Sequence, residues 1–256
     1  MSDLATWKGF EGPPATIMPS PRWVRVKAGD TLIADSRRAQ LLAWYGPGRL
    51  PTYCLPAEDV RTDLLRPAAE GEGFLVAHDV VTGDQALPGA ATLFRGVPPE
   101  LAPVEGHWTF AWDTGLSWFE EAFEVHVHAR DPSKRVDVVP SERHVQVHID
   151  GELVADSHRP HALFETWLPT RWYLPPEDVR QDLLVPTTTA TMCPYKGTAR
   201  YWSALVGEKE HRDIVWQYPD PIPECPRIKG LMCFFNEKVD LTIDGEPQPR
   251  PVSPWS

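Results

Sequence analysis

Leu50-Pro51-Thr52-Tyr53-Cys54-Leu55-Pro56-Ala57-Glu58-Asp59-Val60-Arg61-Thr62-Asp63-Leu64-Leu65 returns later in the chain. It reappears as Leu168-Pro169-Thr170 and then Tyr173-Leu174-Pro175-Pro176-Glu177-Asp178-Val179-Arg180-Gln181-Asp182-Leu183-Leu184. A match this long marks an internal repeat, and a repeat sets the organisation of the chain. Upstream of each copy the order is again shared. Val24-Arg25-Val26 leads through a turn to Leu32-Ile33-Ala34-Asp35-Ser36, and Val145-Gln146-Val147 leads through Asp150-Gly151 to Leu153-Val154-Ala155-Asp156-Ser157. Asp-Gly between alternating apolar residues is a strong hairpin signal. The chain therefore reads as a tandem duplication of one strand-rich module of roughly a hundred residues.

The expected layout is an N-terminal arm over 1–21, a first module over 22–128 and a linker over 129–139. A second module over 140–245 and a Pro-rich tail over 246–256 complete it. Ala39 to Tyr45 and His161 to Trp167 are compatible with short helices. Pro56 and Pro175, just ahead of Glu-Asp, suit the first turn of another, where a missing N–H costs nothing and carboxylates favour the positive end. Phe123 to His128 and Val239 to Ile243 alternate like strands. The 28 prolines favour turns and edge strands over long helices. The fold class expected is mainly β, each module having about seven short strands and one or two short helices.

The net charge of −11 works against nucleic acid and anionic membranes, and no basic run exceeds Arg37-Arg38. No apolar stretch is long enough to span a bilayer, and Met1 to Pro21 lacks the basic-then-apolar pattern of a secretory signal. A cytoplasmic protein with reduced thiols is the expectation. The four cysteines, Cys54, Cys193, Cys225 and Cys233, form no C-x-x-C pair, so they do not supply a four-thiolate zinc site. There is no G-x-S-x-G elbow, P-loop or dinucleotide fingerprint, hence no metal or nucleotide cofactor motif.

The copies differ in chemistry. Setting Gly197 against Gly89 places Cys193, Tyr195, Lys196 and Tyr201 opposite Gln85, Leu87, Pro88 and Leu93, with Trp202 opposite Phe94. The turn Trp216-Gln217-Tyr218-Pro219-Asp220-Pro221 has only Trp112-Asp113 as a counterpart. Reactive groups missing from one copy point to a site in the other. Cys193, in a Pro-Gly turn beside Lys196, is a candidate nucleophile, and the alternative is a buried residue closing a turn. Lys196 is a candidate for binding an anion or polarising a carbonyl, against a plain solvated lysine. Tyr195, Tyr201, Trp202, Trp216, Tyr218 and Asp220 are candidate ligand-binding residues, with inter-sheet core as the competing role for the aromatics.

Glu177, Asp178, Arg180 and Asp182 persist as Glu58, Asp59, Arg61 and Asp63, which favours a structural role in helix capping and an Arg–carboxylate lock. His158 and His161 are separated by Pro160 and lack a third ligand nearby. His126 and His128 share a strand face, and all four read as ordinary histidines.

Ala155-Asp156-Ser157, Tyr173-Leu174-Pro175 with Glu177-Asp178-Val179, Cys193-Pro194-Tyr195-Lys196-Gly197 and Trp216-Gln217-Tyr218-Pro219-Asp220-Pro221 together resemble the family known as domain of unknown function 427. The resemblance covers about 140 to 245 well and 22 to 128 in weaker form. It implies a β-tent-like fold of two antiparallel sheets, similar to that of methionine sulfoxide reductase B. A nucleotidyltransferase label also attaches to the family, but this sequence lacks the paired acidic metal site and Gly-Ser motif of that class. Several β-tent relatives hold zinc on paired C-x-x-C motifs, which are absent here as well. Three functional readings follow: an enzyme acting on a small-molecule ligand in the second module, a non-catalytic ligand-binding or sensing module, and a scaffold for protein partners. Oligomeric state is left open by the sequence.

Overall fold

The computed structural model describes residues 5–68, 71–83, 85–112 and 114–256. It is mainly β, and the helices among the described residues are short 3₁₀ turns. The chain forms two compact units. One spans Pro13–Asp131, and the other spans Pro132–Ser256 together with the segment ending at Gly12.

In the second unit a seven-stranded antiparallel sheet runs in the order Val136–Pro140, His161–Glu165, Arg171–Leu174, Met232–Phe234, Lys209–Gln217, Gly197–Val206, Leu184–Cys193. A four-stranded antiparallel sheet runs Glu152–Ser157, Val145–Ile149, Asp240–Ile243, Glu246–Gln248. Alternation fixes the buried face of the smaller sheet: Val145, Val147 and Ile149 are buried while Gln146 and His148 are not. Those residues join Leu163, Leu174, Val215 and Phe234 of the larger sheet in one core. Asp150 and Gly151 both have positive φ, 50° and 85°, as the expected tight hairpin turn requires.

The first unit repeats the plan with one break. Phe123–Val125, Leu116–Glu120, Val24–Ala28 and Thr31–Ser36 form its four-stranded sheet. The counterpart of the seven-stranded sheet is two pieces: Thr16–Pro19, Gln40–Ala43, Thr52–Cys54, and Leu65–Pro67, Leu75–Thr82, Gln85–Phe94, Trp108–Phe110. Among the described residues one backbone bridge joins them, in which the N–H of Leu55 donates to Trp108 O at 2.7 Å and that of Trp108 to Leu55 O at 2.8 Å, and the Thr52 and Thr109 hydroxyls meet beside it at 2.7 Å.

Several expectations are corrected. Ala39 to Tyr45 and His161 to Trp167 are not helical; Gln40–Ala43 and His161–Glu165 are strands. Each has a neighbour on both sides and is largely buried, so the sequence shows a continuous apolar run in place of alternation. Among the described residues each unit has eleven strands where seven were expected. Thr16–Pro19 lies in the expected arm, Val136–Pro140 reaches into the expected linker, and Glu246–Gln248 lies in the expected tail. All three are edge strands, two of them ending in proline, and edges tolerate the proline that makes such segments look unstructured. Residues 1–4 of the arm fall outside the described residues.

The Glu-Asp clusters do not cap their 3₁₀ turns. Asp178 instead accepts the buried Ser157 hydroxyl at 2.7 Å and the Arg159 guanidinium at 2.9 Å. Asp59 accepts Ser36 at 2.7 Å and Arg38 at 2.7 Å in the same way. Arg180 pairs with Asp182, and Arg61 with Asp63. The backbone closes the same junction, since the N–H of Arg180 donates to Val154 O at 2.9 Å and that of Arg61 to Ile33 O at 2.8 Å. The lock thus fastens the end of a hairpin in the small sheet to the 3₁₀ turn leaving the large one.

Arg159, helped by Ser157, holds the Asp178 carboxyl below the ordinary carboxylate range. The lock's contribution is therefore full above that range and is lost as pH falls through the lowered value. Asp178→Ala should cost about 1–3 kcal/mol, because it strands the buried Ser157 hydroxyl. The matching Asp59→Ala should cost a similar amount, and urea denaturation of each variant checks both.

Candidate functional site

The strand pairing sets the true register between the copies. Leu184 pairs with Ala204 as Leu65 pairs with Val80, and the irregularity at Trp202/Ala204 matches that at His78/Val80. Val215 then faces Phe234 as Ala91 faces Phe110. In this register Gly89 answers to Asp213, both with positive φ, and Gly197 answers to Gly73. The expected alignment of Gly197 with Gly89 is therefore corrected; short glycine turns recur too often in a β protein to anchor an alignment. Lys196 now lies opposite Glu72, Tyr195 opposite Gly71, Tyr201 opposite Ala77, Trp202 opposite His78, Trp216 opposite Thr92, Tyr218 opposite Phe94 and Asp220 opposite Gly96. Counting back along the chain sets Cys193 against Ala69, which lies outside the described residues, as does Asp113. The asymmetry between the copies persists in the new register.

Cys193 and Gly197 pair at the mouth of the turn Pro194-Tyr195-Lys196, between the strands Leu184–Cys193 and Gly197–Val206. Gly197 has φ +109°, and a Cβ there would sit 3.3 Å from Asp220 O and from Ile222 N. That approach lets the N–H of Ile222 donate to Lys196 O at 3.0 Å, docking the Asp220–Ile222 backbone on the turn. The Asp220 carboxylate itself is exposed and accepts Lys229 at 3.1 Å.

The turn drives Lys196 inward, where Nζ donates to Glu165 Oε2 at 2.5 Å, both residues being buried. Lys134 Nζ is 3.2 Å from the other oxygen, Glu165 Oε1, and lies 5.9 Å over the Tyr195 ring. Burial alone would raise the Glu165 carboxyl, but the two ammoniums outweigh it and hold it below the ordinary range. Burial likewise opposes charge on Lys196, yet the negative charge available at Cys193 and Glu165 keeps its ammonium far above the ordinary range. Lys196 is thus a fixed cation held by a carboxylate, not a neutral amine ready to attack.

Tyr201, Trp216 and Tyr218 are core side chains beneath this turn. The Tyr201 hydroxyl is 2.7 Å from Thr191 Oγ1, and the Trp216 indole donates to Tyr173 Oη at 3.0 Å. Trp202, next to Tyr201 in its strand, is half-buried and packs against the same core. Tyr195 is also half-buried. Next along, Arg171 makes a buried two-point pair with Glu237 at 2.6 and 2.8 Å, and the Ser253 hydroxyl also donates to Glu237. A shallow cleft of about 240 Å³ in the first unit, walled by Asp35, Glu58, Asp59 and Arg61 among others, belongs to the structural lock and holds none of these groups.

The four thiols are not equivalent. Cys54 and Cys233 are fully buried and pushed far up, and burial pushes Cys225 up to about 11. Cys193 is half-buried, the most accessible of the four.

Glu165, Lys134, Arg171 and Glu237 were not singled out by the sequence. For Glu165 a signal existed: a carboxylate closing the apolar run Ala162-Leu163-Phe164, with Trp44 in the same place of the first copy. His158 is not isolated as expected. It stacks on His144, and Asp156 lies beside both, because the hairpin brings together residues the sequence holds apart.

A family model described as a domain of unknown function (DUF427) matches residues 16–121 and again 137–245. The chain belongs to that family and carries two copies of its domain. No curated protein matches the chain. No helix among the described residues is long and apolar enough to cross a membrane.

Lys196→Met should cost several kcal/mol, at the low end of about 3–5 kcal/mol because Lys134 still faces Glu165. Lys196→Met with Glu165→Gln should recover part of that loss, a coupling that a double-mutant cycle of denaturation measurements reads directly. The pair's contribution is present between the ordinary carboxylate and ammonium ranges. It is lost in acid as pH falls through the lowered value of Glu165, and in base as pH rises through the raised value of Lys196. Separately, Gly197→Ala should destabilise by about 1–3 kcal/mol through its backbone conformation and the contact with Asp220 O, checked by the shift in melting temperature.

Proposed function

We propose that the second module binds a small molecule at the Cys193–Gly197 turn, with the Cys193 thiol as the reacting group. The observation that carries this reading is the buried Lys196–Glu165 pair, whose lysine shares its turn with the most accessible cysteine, replaced by Glu72 and Trp44 in the other copy. A buried ion pair is poor value as stabilisation, since well-packed apolar residues do as well or better. The first copy illustrates this by folding with a tryptophan in the carboxylate's place. A fixed ammonium in the same turn as a thiol is the electropositive setting in which cysteines act as nucleophiles. Tyr195, half-buried in the turn itself, and Trp202, half-buried on its following strand, are the aromatics that would border such a ligand.

A second reading is a non-catalytic binding or sensing module. It is favoured by the burial of Tyr201, Trp216 and Tyr218, which makes them core in place of pocket wall, and by the full engagement of Lys196.

Alkylation of the native chain with iodoacetamide, followed by peptide mapping, separates the two. Under the first reading Cys193 alone is modified at neutral pH, faster than a free thiol, and Lys196→Met slows it by about tenfold or more. A Cys193 no faster than a free thiol, or indifferent to Lys196→Met, removes the nucleophile and leaves the binding module. A thermal-shift screen of metabolites against wild type and Cys193→Ser then supplies the ligand class.

A further inference from the structure

The geometry points to a metal site for a late first-row divalent ion, such as zinc, nickel or cobalt, made by His144, Asp156 and His158 on the outer face of the second module's small sheet. One ligating atom from each residue lies within 4.8 Å of the other two. The site does not draw on any residue of the Cys193 turn.

The strands dictate the grouping. Val145 pairs with Ser157 and Gln146 with Asp156, so His144 and His158 face each other just beyond the last pair. Asp156, two residues before His158, shares its face. Ser157 between them is buried, whereas Asp156 and His158 are exposed and His144 is half-exposed. Two imidazoles and one carboxylate form the donor set that suits borderline divalent metals, with the remaining positions open to water.

The supporting contacts suit such a role. Asp156 divides its oxygens: Oδ2 accepts Gln146 Nε2 at 3.0 Å, and Oδ1 lies 2.7 Å from His144 Nε2. The backbone N–H of His144 donates to Asp244 Oδ1 at 2.9 Å, fixing the strand end that carries the ring. The two nearest cations are already engaged, Arg143 with Asp244 and Arg159 with Asp178. The imidazoles are stacked 3.9 Å apart at 14°. Tetrahedral ligands about 2 Å from a metal are separated by about 3.3 Å, so a modest ring rotation that opens the stack turns both nitrogens towards one ion.

The first copy supplies the control. Its matching residues are Trp23, Asp35 and Arg37, where the indole N–H donates to Asp35 at 2.6 Å and the Arg37 guanidinium lies 4.7 Å over the Trp23 ring. The same stack and carboxylate are kept there by side chains of which two cannot ligate. The fold therefore does not need histidines at these places, and the second copy has a complete set.

The full chain is titrated with Co²⁺, followed by visible absorption, and with Zn²⁺, followed by calorimetry and by the histidine ring resonances in NMR spectra. One ion per chain is expected, with the His144 and His158 resonances shifting together. His144→Trp with His158→Arg, which installs the residues of the first copy, should keep the fold by circular dichroism and weaken binding at least about a hundredfold. Asp156→Asn should weaken it about tenfold or more. Binding unchanged in the double variant, a cobalt–thiolate charge-transfer band, or an absence of saturable binding by the wild type would each overturn the site. Should the double variant misfold, the wild-type resonances still decide: ions that leave His144 and His158 unshifted bind elsewhere.

Discussion

In both modules the small sheet is fastened to the turn leaving the large one by a carboxylate lock, beside a backbone hydrogen bond at the same junction. Asp178 in the second copy, and Asp59 in the first, gathers a buried serine and an arginine from the hairpin just before it. With that end held, the chain can leave the hairpin, cross to the large sheet and return, and apolar faces from both sheets close over one core. A serine hydroxyl with no water near it has few ways to be satisfied, and an ionised acceptor is among the strongest. This accounts for the survival of the motif in a copy that has lost the Lys196–Glu165 pair.

The two copies form an experiment in what the fold requires. The first fills the place of Glu165 with Trp44, of Arg171 with Thr52, and of Tyr173 with Cys54. Each replacement exchanges a buried polar or charged group for one that needs fewer partners. The polar network of the second copy is therefore a choice made on top of the fold. Its members hold one another in place: Lys196 and Lys134 on Glu165, Arg171 on Glu237, Trp216 on Tyr173. Such a network fixes geometry at a cost in desolvation, and sites of recognition or chemistry commonly accept that cost.

The duplication, the strand-rich class and the Asp150-Gly151 hairpin were legible from the residues because turn chemistry and alternation are local signals. The carboxylate lock was legible because both copies kept it. What escaped were features that depend on neighbours in space. Gln40–Ala43 and His161–Glu165 looked helical because burial on both faces erases the period of a strand. The inter-copy register at Gly197 was misread because a turn glycine carries no record of which strands it joins. Lys196 was visible from the start, but Glu165 lies thirty-one positions away and Lys134 farther still, so only the sheet order brings the three together.

The break in the large sheet of the first unit has a topological meaning. In the second unit, two residue pairs, Tyr173 with Cys233 and Leu174 with Met232, join the halves, so the ladder is continuous across seven strands. In the first unit, among the described residues, one backbone pair, Leu55 with Trp108, bridges a three-stranded and a four-stranded piece. Treated as a ladder of backbone hydrogen bonds, that unit narrows to one rung between its two pieces, beside which Thr52 and Thr109 join their hydroxyls at 2.7 Å and the Trp112 indole donates to Thr52 Oγ1 at 3.2 Å. The copy that lost its polar network thus relies on apolar packing, with Leu41, Tyr53 and Leu55 set against Val80, Ala91 and Trp108, where the other copy has a continuous ladder.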